Sequence, residues 1–186
     1  MVAEISKPSF ERRLILETAR NAVLCYLGLG GSKLSSAGTV VPTGVFVTIK
    51  ESGKLRGCMG VLNGKLPLLQ AVWEAARQAA FFDPRFPPLS PQEVDRCEFE
   101  VTVLDRMEAL RLEDKENIDR VIVPGVHGVQ VKSGSRSAIL LPQVATEMGW
   151  GATELLDAVC VKAGLSPGAW RREPIQVYRF TATIIE

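Results

Sequence analysis

The stretch most suited to chemistry is residues 55–60, Leu-Arg-Gly-Cys-Met-Gly, which places a guanidinium, a thiol and two glycines within six positions. A thiol acts as a nucleophile or metal ligand in its thiolate form, and a nearby guanidinium favours that charged form. Arg56 and Cys58 are therefore candidate catalytic residues. Glycine weakens a strand and often marks a bulge or the close approach of a ligand, so Gly57 and Gly60 are candidate ligand-binding positions. The alternative is that Cys58 is a small buried hydrophobic residue.

A β-hairpin is predicted to carry this stretch. Apolar residues alternate with others over residues 45–50, and residues 51–54, Glu-Ser-Gly-Lys, are typical of a turn. If residues 55–60 form the returning strand, the period of two places Arg56 and Cys58 side by side on one face. This predicted geometry is the reason to treat the two side chains as a unit.

A stiff loop follows the second predicted helix, which spans residues 68–82. Residues 83–88 read Asp-Pro-Arg-Phe-Pro-Pro, and three prolines in this segment exclude regular structure. The loop presents Asp83 and Arg85. These residues are either a functional pair near Arg56 and Cys58 or a salt bridge that fixes the loop.

His127 is the single histidine of the chain, and its side chain has an unperturbed pKa near neutrality. It lies in a segment, residues 121–131, that is rich in β-branched residues and is predicted to be a strand. His127 is either an acid–base group or a structural residue with satisfied hydrogen bonds. Glu98 and Glu100 project from the polar face of a further predicted strand, residues 97–104, and one of them is a candidate neighbour of the site.

The remaining periodicity predicts a mixed fold. Helical patterns cover residues 10–27 and 152–163, strand patterns cover residues 136–141 and 175–185, and one or two helical turns fit residues 143–149. Ser90 followed by Pro91 and Glu93 is a capping signature and predicts a short helix there.

Composition excludes several classes of function. The chain has 186 residues, of which 46% are hydrophobic, enough for the core of one domain over residues 1–186, with or without a smaller lobe. A net charge of +1 gives no global attraction to nucleic acid or to acidic membranes. We expect no leader and no membrane-spanning segment, and hence a cytoplasmic protein. The 4 cysteines contain no C-x-x-C pair, which favours reduced thiols over disulfides, a zinc site or an iron–sulfur cluster.

Five segments occur in the order found in AMMECR-domain proteins, and together they make the chain similar to that family. The family includes protein A of the AmmeMemo-radical-SAM system. Lys162-Ala163-Gly164-Leu165 and Trp170 also fit, so the resemblance covers nearly the whole chain. The segments are residues 55–60, 83–89 (Asp-Pro-Arg-Phe-Pro-Pro-Leu), 100–104 (Glu-Val-Thr-Val-Leu), 127–129 (His-Gly-Val) and 140–144 (Leu-Leu-Pro-Gln-Val).

The resemblance implies an α+β fold, in which an antiparallel sheet is flanked by helices and accompanied by a smaller β-containing lobe. It implies association with Memo-like and radical-SAM proteins but carries no settled activity or cofactor. It also strengthens Arg56 and Cys58 as a site and adds Gln143 to the candidates. In the resulting hypothesis, Arg56 activates Cys58, His127 serves as acid–base group or second ligand, and Gln143 and Asp83 supply polar contacts.

Two classes of function remain open at this stage. One is a thiol-dependent enzyme that acts on a small molecule, with Cys58 as nucleophile or transient carrier. The other is a non-catalytic module that uses the same surface to bind a protein, a ligand or a metal.

Overall fold

The computed structural model describes residues 9–34, 40–62, 64–172 and 174–186. These residues form two compact units. The first comprises the described residues up to Leu104 together with Thr183–Glu186, and the second comprises Asp105–Ala182.

The first unit is a four-stranded sheet with two helices. Its strands are β1 (Gly44–Glu51), β2 (Lys54–Val61), β3 (Cys97–Leu104) and β8 (Ala182–Ile185), in the order β2-β1-β3-β8. Strand β1 pairs antiparallel with both β2 and β3. The helices are α1 (Ser9–Tyr26) and α2 (Leu68–Phe81), which pack together on the sheet.

Apolar and polar side chains alternate along β1, and the helices cover the face on which the apolar side chains lie. Val45, Val47 and Ile49 are fully buried in a core shared with α1 and α2. Helix α2 approaches the sheet closely because its buried face is rich in alanine, including Ala75, Ala76 and Ala79. Thr48 and Lys50 point to the opposite face of the sheet.

The second unit has its own sheet, its own helices and its own core. The sheet order is β4-β7-β5-β6, and the core is built around residues such as Trp170, Leu155, Leu156 and Val129. The strands are β4 (Glu108–Ala109), β5 (Gly128–Ser133), β6 (Arg136–Leu140) and β7 (Gln176–Phe180). The helices are α3 (Leu112–Glu116), α4 (Ile118–Val121), α5 (Pro142–Met148) and α6 (Ala152–Lys162).

The predicted α+β class with antiparallel sheets is confirmed, and several local predictions are corrected. The predicted strand over residues 175–185 is two strands, β7 and β8, which belong to different sheets. The predicted strand over residues 121–131 starts only at Gly128, after the short helix α4. Ser90 begins a turn and a 3₁₀ helix (Val94–Arg96) instead of an α-helix. In the described parts of the chain, no helix is long and apolar enough to cross a bilayer.

Candidate thiol site

Strand β2 contains a β-bulge that separates Arg56 from Cys58. Lys50 pairs with Leu55 and Ile49 pairs with Gly57, so Arg56 is an extra residue without a partner in β1. The bulge breaks the period of two on which the predicted Arg56–Cys58 pair depended. Among the hydrogen bonds of the described residues, none joins Arg56 to Cys58, and an action of Arg56 on Cys58 stays a prediction.

Arg56 is instead paired with Glu93. Its Nε donates to Glu93 Oε1 at 2.8 Å, and its Nη2 donates to Glu93 Oε2 at 3.4 Å. Glu93 also accepts hydrogen bonds from the backbone N–H and the hydroxyl of Ser90. The Arg56 hydrogen bond, with the Ser90 bonds and the Arg56 charge, lowers the pKa of Glu93 to about 2 against the effect of burial. Arg56 therefore fixes the segment after α2 to the hairpin.

Asp83 and Arg85 hold the peptide groups of Cys58. The Cys58 N–H donates to Asp83 Oδ2 at 2.9 Å, and Arg85 Nη2 donates to the Cys58 carbonyl oxygen at 3.2 Å. Arg85 Nη2 also donates to Asp83 Oδ2 at 2.7 Å, and Arg85 Nε donates to Asp83 Oδ1 at 2.9 Å. We call these two side chains the Asp83–Arg85 clamp. The sequence left open whether Asp83 and Arg85 lie near Cys58 or form a salt bridge that fixes their loop. In the structure they form the salt bridge and also contact the backbone of Cys58.

The clamp is charged at neutral pH. The Asp83 side chain is 2% exposed, whereas that of Arg85 is 54% exposed. The hydrogen bond from Arg85, supported by the N–H groups of Cys58 and Arg85, lowers the pKa of Asp83 to about 2 against the effect of burial. The same hydrogen bond raises the pKa of Arg85. Arg85 therefore contacts the backbone of Cys58 while more than half of its own side chain is exposed.

The sulfur of Cys58 lies on the sheet face that α1 and α2 leave uncovered. Thr48 is its cross-strand partner in β1, and the Thr48 hydroxyl donates to Cys58 Sγ at 3.3 Å. Glu100 is paired with Thr48 from the other side, in β3, and accepts a hydrogen bond of 2.8 Å from Lys50 Nζ. Hydrogen bonding to Glu100 raises the pKa of Lys50. Glu100, anticipated as a neighbour, thus lies in the same cross-strand row as Cys58.

Thr48 was missed by the sequence reasoning. In a regular hairpin, the position of the turn determines which residue of β1 lies opposite Cys58. The bulge shifts that register by one residue, so the pairing could not be counted from the turn alone.

The two glycines of the stretch are explained by packing. A Cβ on Gly57 would lie 2.1 Å from the backbone oxygen of Ala79 in α2, and a Cβ on Gly60 would lie 2.5 Å from the ring of Phe46. Gly57 allows β2 to approach α2, and Gly60 makes room for its cross-strand neighbour. A ligand-binding role for Gly57 and Gly60 stays a prediction.

His127 and Gln143 belong to the second unit, and their participation at Cys58 stays a prediction. His127 Nδ1 accepts the backbone N–H of Val123 at 2.9 Å, so the neutral ring carries its proton on Nε2. Burial, with the charge of Arg179, lowers the pKa of His127. In this tautomer Nε2 is a hydrogen-bond donor. The Gln143 side-chain oxygen is buried without a partner among the described residues.

Metal-ligating side chains do not cluster in the described ranges. No group of three or more His, Cys, Asp or Glu residues within them is arranged to hold a metal ion.

Comparison with known proteins identifies the family. The sequence profile of AMMECR1 matches residues 11–185. The chain belongs to the AMMECR1 family. Other AMMECR1-like proteins are similar along most of their length. A protein of Methanothermobacter thermautotrophicus is 47% identical over 141 residues, covering 76% of this chain and 73% of the relative. A protein of Methanosarcina acetivorans is 40% identical over 184 residues, covering 95% and 91%.

A solved structure supports the same AMMECR1 fold. The crystal structure of an uncharacterized protein from Pyrococcus horikoshii matches with a TM-score of 0.82 and 36% sequence identity. The match covers 92% of this chain and 88% of the other.

Proposed function

We propose that this AMMECR1-family protein carries out thiol-dependent chemistry on a small molecule, with Cys58 as nucleophile or transient carrier. The observation that supports the proposal is the Asp83–Arg85 clamp. A buried carboxylate and a guanidinium bind the N–H and the carbonyl oxygen that flank one half-buried cysteine. Such fixed geometry is what a nucleophile needs in order to meet a bound substrate repeatedly in one orientation.

The sulfur and the backbone carbonyl group of Cys58 each accept a hydrogen bond from a side chain. The Thr48 hydroxyl donates to Sγ at 3.3 Å, and Arg85 Nη2 donates to the Cys58 carbonyl oxygen at 3.2 Å. Hydrogen-bond donation and a nearby cation both stabilise a thiolate. The exposed part of Arg85 can also contact an anionic group on the substrate.

The pathway and the compartment are further parts of the proposal. The family resemblance suggests that the activity serves a pathway with Memo-like and radical-SAM proteins. A cytoplasmic location suits a site that depends on a reduced thiol, and Cys25, Cys58 and Cys97 carry free thiols.

Variants of the two neighbours test the thiol proposal. Thr48→Val keeps the β-branched shape without the hydroxyl, and Arg85→Ala removes the cation. We expect each to slow the alkylation of Cys58 by iodoacetamide at pH 7 about 3-fold or more, because each removes a hydrogen-bond donor to Cys58 on which the proposed chemistry depends. The measurement is peptide mass spectrometry on the folded protein.

Cys25 provides the internal control in the same samples, and its alkylation rate should be unchanged. Wild-type rates at Cys58 in both variants would contradict the proposal. Arg96→Ala is a matched control for Arg85→Ala, since Arg96 pairs with Glu51 and not with the clamp.

A second candidate function is a non-catalytic docking module. An exposed aromatic group favours it: Phe82, which directly precedes Asp83, is 56% exposed, and Tyr26, 49% exposed, stacks on Phe81 at 4.2 Å. Cys58→Ser separates the two functions, because a docking surface would tolerate this change whereas thiol chemistry would be abolished.

A further inference from the structure

The second unit contains a cavity of about 520 Å³, within the range of small-molecule sites. Its walls come from three parts of the chain: the α3–α4 junction, the first turn of α6 and the 3₁₀ helix Ala169–Arg171. The residues that the argument uses are Glu116, Asp119, Arg120, Thr153, Trp170 and Arg171.

A tryptophan beneath the edge of the cavity is held rigidly. Trp170 is fully buried, and its indole N–H donates to Asp157 Oδ1 at 2.7 Å. The same carboxylate oxygen accepts the backbone N–H of Gly168 at 2.7 Å, which fixes the turn leading to the tryptophan.

Arg171 is oriented by this tryptophan. Its guanidinium carbon lies 3.9 Å from the centre of the Trp170 ring, in cation–π stacking distance. Stacking holds a planar guanidinium in one orientation while leaving its N–H edge able to donate. Arg171 is thus a pre-oriented donor at the edge of the cavity.

Among the cavity-lining residues that the structure describes, the charges are balanced in number, and all four charged side chains are exposed. Arg120 and Arg171 supply two cations, and Glu116 and Asp119 supply two anions. Within the part of the chain that the structure describes, none of these four side chains takes part in a salt bridge. A molecule that carries both signs of charge could form charge-assisted hydrogen bonds with both pairs, whereas a simple anion or a simple cation could do so with only one.

We infer that this cavity binds a small zwitterion, a molecule with an acidic group and an amino group. Arg171 and Arg120 receive the carboxylate or phosphate, Thr153 contributes a hydroxyl, and Glu116 and Asp119 receive the ammonium. This site is independent of Cys58 and of the function proposed for it.

Titration with O-phosphoethanolamine tests the inference, with inorganic phosphate and ethanolamine as single-charge probes at matched ionic strength. The readout is NMR of the intact protein, following the Trp170 indole N–H and the amides of residues 116–120. We expect saturable shifts with O-phosphoethanolamine, and at least ~10-fold weaker binding of either single-charge probe, because each forms only half of the charge-assisted hydrogen bonds.

Three variants locate the site. Arg171→Ala should weaken binding at least ~10-fold. Arg171→Lys should also weaken it, because an ammonium group is not planar and cannot both stack on Trp170 and donate two parallel hydrogen bonds. Arg172→Ala is the matched control, since the neighbouring Arg172 is exposed and does not line the cavity, and it should bind as the wild type does. Absence of saturable shifts with O-phosphoethanolamine would overturn the inference. Equal binding of inorganic phosphate, or unchanged binding by Arg171→Ala in a folded variant, would also overturn it.

Discussion

Cys58 and Cys25 differ in the partner of the sulfur atom. Both are half-buried, but Cys58 Sγ receives a hydrogen bond from the Thr48 hydroxyl at 3.3 Å, whereas Cys25 Sγ donates to the Ser32 carbonyl oxygen at 3.8 Å. A donor directed at sulfur favours the thiolate, and an acceptor favours the protonated thiol. The two thiols therefore have similar exposure but different hydrogen-bond partners.

The packing around Gly57 and Gly60 predicts that their replacement by alanine lowers the free energy of unfolding by different amounts. Gly57→Ala should destabilise the protein by more than ~3 kcal/mol, because the new methyl group meets the backbone oxygen of Ala79, which cannot rotate away. Gly60→Ala should cost less, since it meets the ring of Phe46. The measurement is urea-induced unfolding.

The double variant Gly60→Ala, Phe46→Leu is the control for that prediction. A smaller side chain at position 46 should recover stability at position 60, and Phe46→Leu should not rescue Gly57→Ala. Equal losses at both glycines, with no rescue of either, would contradict the packing account.

The element that completes the thiol site is the loop after α2. Its contacts to the hairpin span long sequence separations: Asp83 and Cys58 are 25 positions apart, and Glu93 and Arg56 are 37 apart. Three prolines stiffen the segment, so the loop loses less conformational entropy when it orders. The loop therefore packs against β2 as a rigid segment.

The acidic groups of this loop predict how stability depends on pH. The pKa of Asp83 falls from an ordinary value of 3.8 to about 2 on folding. A depressed carboxyl pKa contributes stability that is present above the unfolded pKa and is lost as pH falls through the folded one. We expect Asp83→Asn to cost about 2 kcal/mol at pH 7 and progressively less as pH falls from 4 to 2.

Denaturant unfolding of wild type and Asp83→Asn at pH 7, 4 and 3 measures this difference. Asp95→Asn is the control, because Asp95 is exposed on its ion pair with Arg20 and should give a small difference at each pH. A stability difference for Asp83→Asn that is independent of pH would contradict the account.

Helices and strands whose apolar residues recur at a regular spacing were predictable from the sequence. Helix α2 was predicted over residues 68–82 and spans Leu68–Phe81, and the strand over residues 97–104 matches β3. Contacts that depend on a distant partner were not predictable. The bulge at Arg56 has no local signature beyond Gly57, and the division of residues 175–185 between two sheets is set by neighbouring strands distant in sequence.

On the scale of the whole molecule, each of the two units has its own sheet and its own hydrophobic core. The thiol site is built from β1, β2 and the loop after α2, all in the first unit. The zwitterion cavity is built wholly within the second. Loss of either site by mutation should therefore leave the other measurable.

The rate of alkylation of Cys58 relative to Cys25 in the wild-type protein is the most direct test of the thiol site. Native protein is treated with iodoacetamide at pH 7, and both peptides are quantified in the same digest. We predict that Cys58 reacts at least ~10-fold faster than Cys25, because the proposed chemistry needs a nucleophilic thiol at position 58. Equal rates, or a slower rate at Cys58, would contradict thiol-dependent function and leave the docking module as the function of this surface.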